Sequence, residues 1–192
     1  MTNRLSLKCV SFALVLLVAV LVMSSKVHAH EQLLKNIEAT IKTLNYVRTI
    51  NSSSTGDFLN VAVAFEPGNW KTIEEADLIV NTLNKIGKIK KKKLNLVKVP
   101  VNSVSPSVDV LFVTTGLNKS YEHIKKFSIL NHILNISMDP SCTKNNVCVI
   151  AVDAQSSPVK IYLNEKAMEE AGFDVDSTFR YLAIRDMEGN SR

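Results

Sequence analysis

A chain of 192 residues, 46% apolar and 21% charged, has the length and composition for one ordinary hydrophobic core. Its formal charge of +5 suggests an anionic partner, but three of its 23 basic residues, Arg4, Lys8 and Lys26, lie in an apolar leader that has no acidic residue. The remainder carries 20 basic against 18 acidic residues, or +2, and a nucleic-acid-binding role loses its main support.

The leader itself reads as an address. Arg4 and Lys8 precede an apolar run from Val10 to Met23 broken only by Ser11, and Val27-His28-Ala29 supplies a small-residue exit. This pattern predicts a signal peptide over residues 1–29, cleaved after Ala29, and export to an oxidising compartment. The run falls short of the ~20 residues of a spanning helix, and a retained anchor is the competing reading. Cys9 lies ahead of the run, so it does not mark a lipid attachment site.

Residues 30–57 are expected to form an N-terminal helix and linker. Leu33, Leu34, Ile37, Ile41, Leu44, Val47 and Ile50 recur at helical spacing, which predicts an amphipathic helix from Glu31 to Ile50 packed on its own domain. Its polar face mixes Glu and Lys, unlike that of a membrane-surface helix. Asn51-Ser52-Ser53-Ser54-Thr55-Gly56 is a polar linker. A strand from Phe58 to Phe65 follows, apolar enough to be covered on both faces, and Glu66-Pro67-Gly68-Asn69 is its turn. Thr72-Ile73-Glu74-Glu75 matches a T-x-x-E capping box, opening a helix that Gly87 ends.

The run Lys88-Ile89-Lys90-Lys91-Lys92-Lys93 is expected to be a solvated connection into a strand from Leu94 to Val99, with anionic lipid or nucleic acid as the competing partners. Further elements are a strand from Val108 to Thr114, a helix starting at Asn118 or Ser120 and running to about Leu130, and a strand from His132 to Met138. Cys142 and Cys148 remain as an even pair in an oxidising compartment, and a disulfide is the natural reading; a metal or redox pair competes, without CxxC spacing or a nearby His. Two short apolar runs around Gln155-Ser156-Ser157-Pro158 make a hairpin. Asn164 then stands at an N-cap position and Gly172 at a left-handed stop, bracketing a short helix before DVDSTFRYLAIRD. Together these elements predict a single-domain α/β sandwich with a mostly parallel central sheet, flanking helices and an antiparallel C-terminal hairpin.

The order Cys142, Cys148, Ile161, Leu163, Asn164, Ala167, Ala171, Gly172, Ser177, Leu182 and Ala183 resembles the C-terminal half of the YfiR/HmsC-like family of bacterial periplasmic proteins, and Leu33 to Ile50, Val61 to Pro67 and Val108 to Gly116 are similar to its earlier parts. The likeness assigns residues 58–187 to a YfiR-like domain packed with the N-terminal helix. The Trp-Pro that often follows the first helix is missing, and Val108 stands where some members carry a further cysteine, which leaves one disulfide. The resemblance implies a soluble repressor of a membrane-bound diguanylate cyclase, gripping that partner's periplasmic domain, or a sensor kinase's, and so restraining cyclic-di-GMP synthesis and biofilm formation. The disulfide would then be a redox reporter or a passive staple, and a homodimer stays open.

No catalytic constellation is visible: G-x-S-x-G, HExxH, a Walker loop and G-x-G-x-x-G are all missing. His123 and His132 read as structural, and Glu74-Glu75 and Glu169-Glu170 as solvated helix surface. The chain is therefore expected to bind and not to catalyse, and no cofactor is expected. The alternative to the repressor is a periplasmic small-ligand-binding protein feeding a sensor kinase or transporter, in which Glu66 to Trp70 and Thr114 to Asn118 lie close together at strand ends.

Overall fold

The computed structural model describes residues 31–51, 56–154, 156 and 158–185. The expected signal peptide with Cys9, His30, Ser52 to Thr55 of the linker, and Gln155 and Ser157 of the hairpin turn lie outside the described residues. Among the described residues no helix is long and apolar enough to cross a membrane. The chain divides into two compact units, one ending at Lys35 and one from Asn36 onward. In the first, Lys35 pairs with Glu31 at 2.9 Å, an exposed i,i+4 contact. Apart from residues 31–35 of the first helix, everything below concerns the second.

Helix α1 covers residues 31–43 and is shorter than its apolar periodicity predicts. Thr40 and Thr43 turn their hydroxyls back onto the carbonyls of Asn36 and Thr40. Single 3-10 turns at Leu44–Tyr46 and Arg48–Asn51 then replace the α-helix. The reason is tertiary: Val47 leaves the helix to bridge Val175, and the Arg48 N–H donates to the Asp174 carbonyl at 2.8 Å. Leu44, Val47 and Ile50 are buried all the same, so the spacing registered burial and not helix length.

Strands β1 (Phe58–Phe65), β2 (Lys88–Ile89), β3 (Lys92–Pro100), β4 (Val110–Val113), β5 (Leu134–Ser137), β6 (Ile150–Asp153), β7 (Lys160–Leu163) and β8 (Ile184–Arg185) form one sheet in the order β2-β3-β1-β4-β5-β6-β7-β8. Five of the pairings are parallel; β2 with β3 and β6 with β7 are antiparallel. The mostly parallel α/β architecture is as expected. The β6–β7 hairpin is internal, however, because β8 adds a parallel strand outside it. The lysine run is not a plain connection either. Lys88 and Ile89 pair with Lys92 and Lys93, and Lys90 and Lys91 make the turn with φ of 47° and 72°. Strand β5 starts at Leu134, two residues later than expected, because His132 takes a left-handed conformation (φ 53°) that ends the preceding helix.

Helix α2 (Trp70–Ile86) joins β1 to β3, and helix α3 (Tyr121–Asn131) joins β4 to β5. Ala62, Ala64, Leu111 and Val113 share a core with Leu117, Tyr121 and Ile124. Alternation along the strands sends Val61, Val63, Val110 and Phe112 to the other face. Both faces of β1 and β4 are thus buried, which is why their sequences are nearly continuous apolar runs.

The C-terminal third follows its own punctuation. Helix α4 (Pro140–Lys144) carries Cys142, which is bonded to Cys148 with Cα atoms 5.1 Å apart. Asn164 caps α5 (Glu165–Glu170) by accepting from the Ala167 N–H at 2.8 Å. Gly172, at φ 78°, ends it: its N–H donates to the Glu169 carbonyl and that of Phe173 to the Met168 carbonyl, a Schellman pair. Helix α6 (Ser177–Leu182) precedes β8.

Both sulfur-bearing residues are fully buried, and the loop between them is also held by backbone bonds from Val147 and Cys148 to the Cys142 carbonyl. The double variant Cys142→Ala/Cys148→Ala is accordingly expected to lose roughly 2 kcal/mol of stability and to keep its fold, because a short loop constrains the unfolded chain only modestly. Urea unfolding of the variant checks it; a chain that no longer folds would refute it.

Candidate functional site

In an open α/β sheet a ligand crevice forms where successive connections leave a strand in opposite directions. Here that strand is β1. Its helix leads outward to β3 on one side, while β4 lies on the other, so the loops after β1 and β4 part at their carboxyl ends. The same edge carries the residues after β5, next in the sheet.

The loop after β1 is short and fixed from within. The Thr72 hydroxyl donates to the Asn69 carbonyl at 2.9 Å and accepts from the Glu66 N–H at 3.0 Å, folding Glu66 to Asn69 onto the first turn of α2. The cap of α2 is Asn69, whose side chain accepts from the Lys71 N–H at 3.2 Å. The T-x-x-E capping box is therefore corrected: Thr72 lies inside the helix, and the chain before it already turns at Pro67-Gly68.

Glu75 is consequently free of capping work, and it is not solvated surface as the sequence suggests. It lies one turn along the buried face of α2 with Thr72, Ala76, Ile79 and Leu83, only 8% exposed. Its Oε1 accepts from the Thr115 N–H at 3.0 Å and the Thr115 hydroxyl at 3.2 Å. Burial pushes its carboxyl up from an ordinary 4.5 to about 7; the two Thr115 bonds pull the other way, and the negative charge of Asp139 adds to the rise. Thr114, fully buried, donates to the Ala64 carbonyl at 2.9 Å and locks the ends of β1 and β4 together.

Beyond β5 the Ser137 hydroxyl donates to the Val113 carbonyl at 2.8 Å and accepts from the Asp139 N–H at 3.0 Å. Asp139 caps α4 through the Ser141 N–H at 2.9 Å, and its Oδ2 accepts from the Ser141 hydroxyl at 2.7 Å and the Tyr121 hydroxyl at 3.4 Å. Burial raises the Tyr121 phenol above its usual value, so it remains a neutral donor. Glu75 with Thr115, and Tyr121 with Asp139 and Ser141, form a polar wall at the carboxyl ends of β1, β4 and β5. Trp70, 66% exposed, opens α2 after the β1 loop.

This wall offers hydrogen-bond acceptors and neutral donors. Among the described residues there is no group of three or more His, Cys, Asp and Glu side chains able to hold a metal. The serines bond to Asp139 and not to a histidine; His132 Nδ1 lies 3.3 Å from the Ala171 carbonyl, and His123 stacks on Phe127.

Of the residues singled out from the sequence, Gly172 ends α5 and Asn164 both caps it and works at the disulfide loop. Asn164 donates to the Thr143 carbonyl at 2.8 Å and to Asn146 Oδ1 at 2.9 Å, so the α5 cap also holds the Cys142 to Cys148 loop. Neither cysteine is solvent-exposed, and thiol exchange needs access to sulfur. The segments Glu66 to Trp70 and Thr114 to Asn118 flank the crevice at the ends of neighbouring strands. Nothing local in the sequence marks Tyr121 and Asp139, and Glu75 shows only by falling in step with the apolar stripe Ala76, Ile79 and Leu83.

Comparison with solved structures gives the class of fold. A conserved domain protein from Vibrio cholerae is similar with a TM-score of 0.54 and 11% identity, over 80% of this chain and 59% of that one. A substrate binding protein with adhesive properties from Clostridium difficile, in its ligand-free, open structure, gives 0.53 and 13% over 66% and 54%. An ABC domain in complex with L-Trp from Streptococcus pneumoniae gives 0.57 and 8% over 78% and 60%. The chain thus shares its α/β fold with these three proteins and spans between half and three fifths of their length. No protein-family model matches the chain, and no curated protein matches it in sequence.

Proposed function

We propose that this chain is a periplasmic binding protein that takes a small ligand into the crevice at the carboxyl ends of β1, β4 and β5. The observation that carries the reading is Glu75, a carboxyl removed from water at the point where the sheet's connections diverge and held there by Thr115. A buried acid costs stability, and such groups concentrate where a ligand is met. The fold likeness supports it, since two of the similar structures are described as a substrate-binding protein and as a complex with L-Trp.

With carboxylates at Glu75 and Asp139 and no cation in the wall, the ligand presents a nitrogen donor, protonated or neutral. Free amino acids are the first probes. A periplasmic or secreted location goes with the buried disulfide, because such bonds persist in oxidising compartments. The diguanylate cyclase repressor implied by the YfiR/HmsC-like resemblance gains no support from the fold likeness, and small-ligand binding takes its place as the main reading.

Trp70 gives the test its readout, being the single tryptophan of the chain. Titration with the amino acids at pH 8 is expected to change tryptophan emission saturably for at least one of them and to raise the melting temperature with it. A screen of amino acids and other small amines that moves neither signal would remove the proposal.

A further inference from the structure

The geometry points to a second site, for an amphipathic carboxylate, in the cleft between α1, the last turns of α2 and the β2–β3 hairpin. This cleft has a volume of about 400 Å³, within the usual size of ligand pockets. Ile86 supplies most of its apolar surface, over Ile41 and Ile89, which are almost fully buried. Ile86 is 42% exposed, an unusual loss for an isoleucine at the end of a well-packed helix.

Three lysines, Lys42, Lys85 and Lys88, stand around that surface, with Glu38 the one acid among the lining residues. None of the three makes an ion pair among the described residues, whereas Lys35, Lys98, Lys125 and Lys126 each do. Lys85 also balances the carboxyl end of the α2 dipole, and Glu38 offsets one of the other two lysines, which leaves one surplus positive charge. The cleft therefore combines an apolar patch with net positive charge, the complement of an alkyl chain ending in a carboxylate.

The hairpin is held in place for this. The Lys90 ammonium donates to the Val47 carbonyl, and that bond ties the turn of the lysine run to the segment after α1. Lys88 can then face the cleft beside Ile89 while Lys42 and Asn45 face it from the other wall. The site is separate from the crevice. Glu75 lies near the start of α2 and Lys85 ten residues on, about 15 Å along the helix.

Isothermal titration of the protein with decanoate and with decylammonium, equal in chain length and opposite in charge, tests the assignment. Decanoate is expected to bind at least tenfold more tightly than decylammonium, and its affinity to fall with added salt. The triple variant Lys42→Gln/Lys85→Gln/Lys88→Gln is expected to weaken decanoate tenfold or more. Ile86→Asp, at an exposed position, is expected to abolish binding with the melting curve retained. Equal affinity for the two amphiphiles, or a triple variant that binds decanoate as the parent does, would overturn the proposal. Loss of decanoate binding in Glu75→Gln would place the amphiphile in the crevice and overturn it too. Flotation with phosphatidylglycerol vesicles while decanoate stays unbound would assign the lysines to a membrane surface instead.

Discussion

Replacing Glu75 with Gln is expected to make the protein more stable at pH 8 and a poorer binder at the crevice. Glutamine retains an oxygen for the Thr115 N–H and hydroxyl and carries no charge to bury. The folded state holds the Glu75 proton up to about pH 7, and the unfolded chain releases it near 4.5. Between those values the unfolded state binds fewer protons, so stability falls as the pH rises and the loss is complete above 7. That interval corresponds to on the order of 3 kcal/mol, the most that Glu75→Gln can recover. Thermal unfolding of parent and variant at pH 4 and pH 8 checks it: near-equal melting temperatures at the lower pH and a rise of several degrees in the variant at the higher. If the crevice meets a nitrogen donor, ligand affinity at pH 8 drops by about tenfold or more in the same variant, because a charged hydrogen bond is lost. In the parent, affinity should decline as the pH is lowered through 7. A variant that is neither stabilised nor impaired at pH 8 would show that the acid is not buried at the crevice.

Asn164→Ala is expected to cost about 3 kcal/mol, more than removal of the disulfide. The side chain is 2% exposed and makes three bonds, accepting from Ala167 and donating to Thr143 and Asn146. Alanine removes a helix cap, worth about 1 kcal/mol, and two further bonds to the disulfide loop at about 1 kcal/mol each, although the Thr143 carbonyl keeps the Asn146 N–H at 2.9 Å. Asn164→Ser keeps an oxygen for the cap but no amide donor, and should fall between the two. Urea midpoints for the three proteins give the order; an alanine variant within 1 kcal/mol of the parent would refute the double role.

What could be read from the residues was what local chemistry decides. The bounds of strand β1 are legible because an apolar run ends in Glu-Pro-Gly-Asn, and those of α5 because Asn164 and Gly172 have few other uses at that spacing. The parallel sheet followed from strands without alternation. The crevice wall was less legible, since Glu75 depends on a bond to a residue forty positions later and Thr72 satisfies the same short pattern as a true cap. Asp139 looks like any residue before a proline, and only the fold brings Tyr121 to it. The lysine turn was hidden for a different reason: left-handed Lys90 and Lys91 carry none of the Gly or Asn that announces such a hairpin.

The strand order has a further implication for the behaviour of the chain in concentrated solution. The outermost strands at both margins, β2 and β8, are two residues long, and lysines crowd the first of them. The edge a neighbouring molecule meets is the outer side of β3 beyond Lys93, where Lys98 and Pro100 blunt it, while β1 and β4 are paired on both sides. The long apolar strands at the centre can therefore be as fibre-prone in composition as their packing demands, because none of them is ever presented as a template.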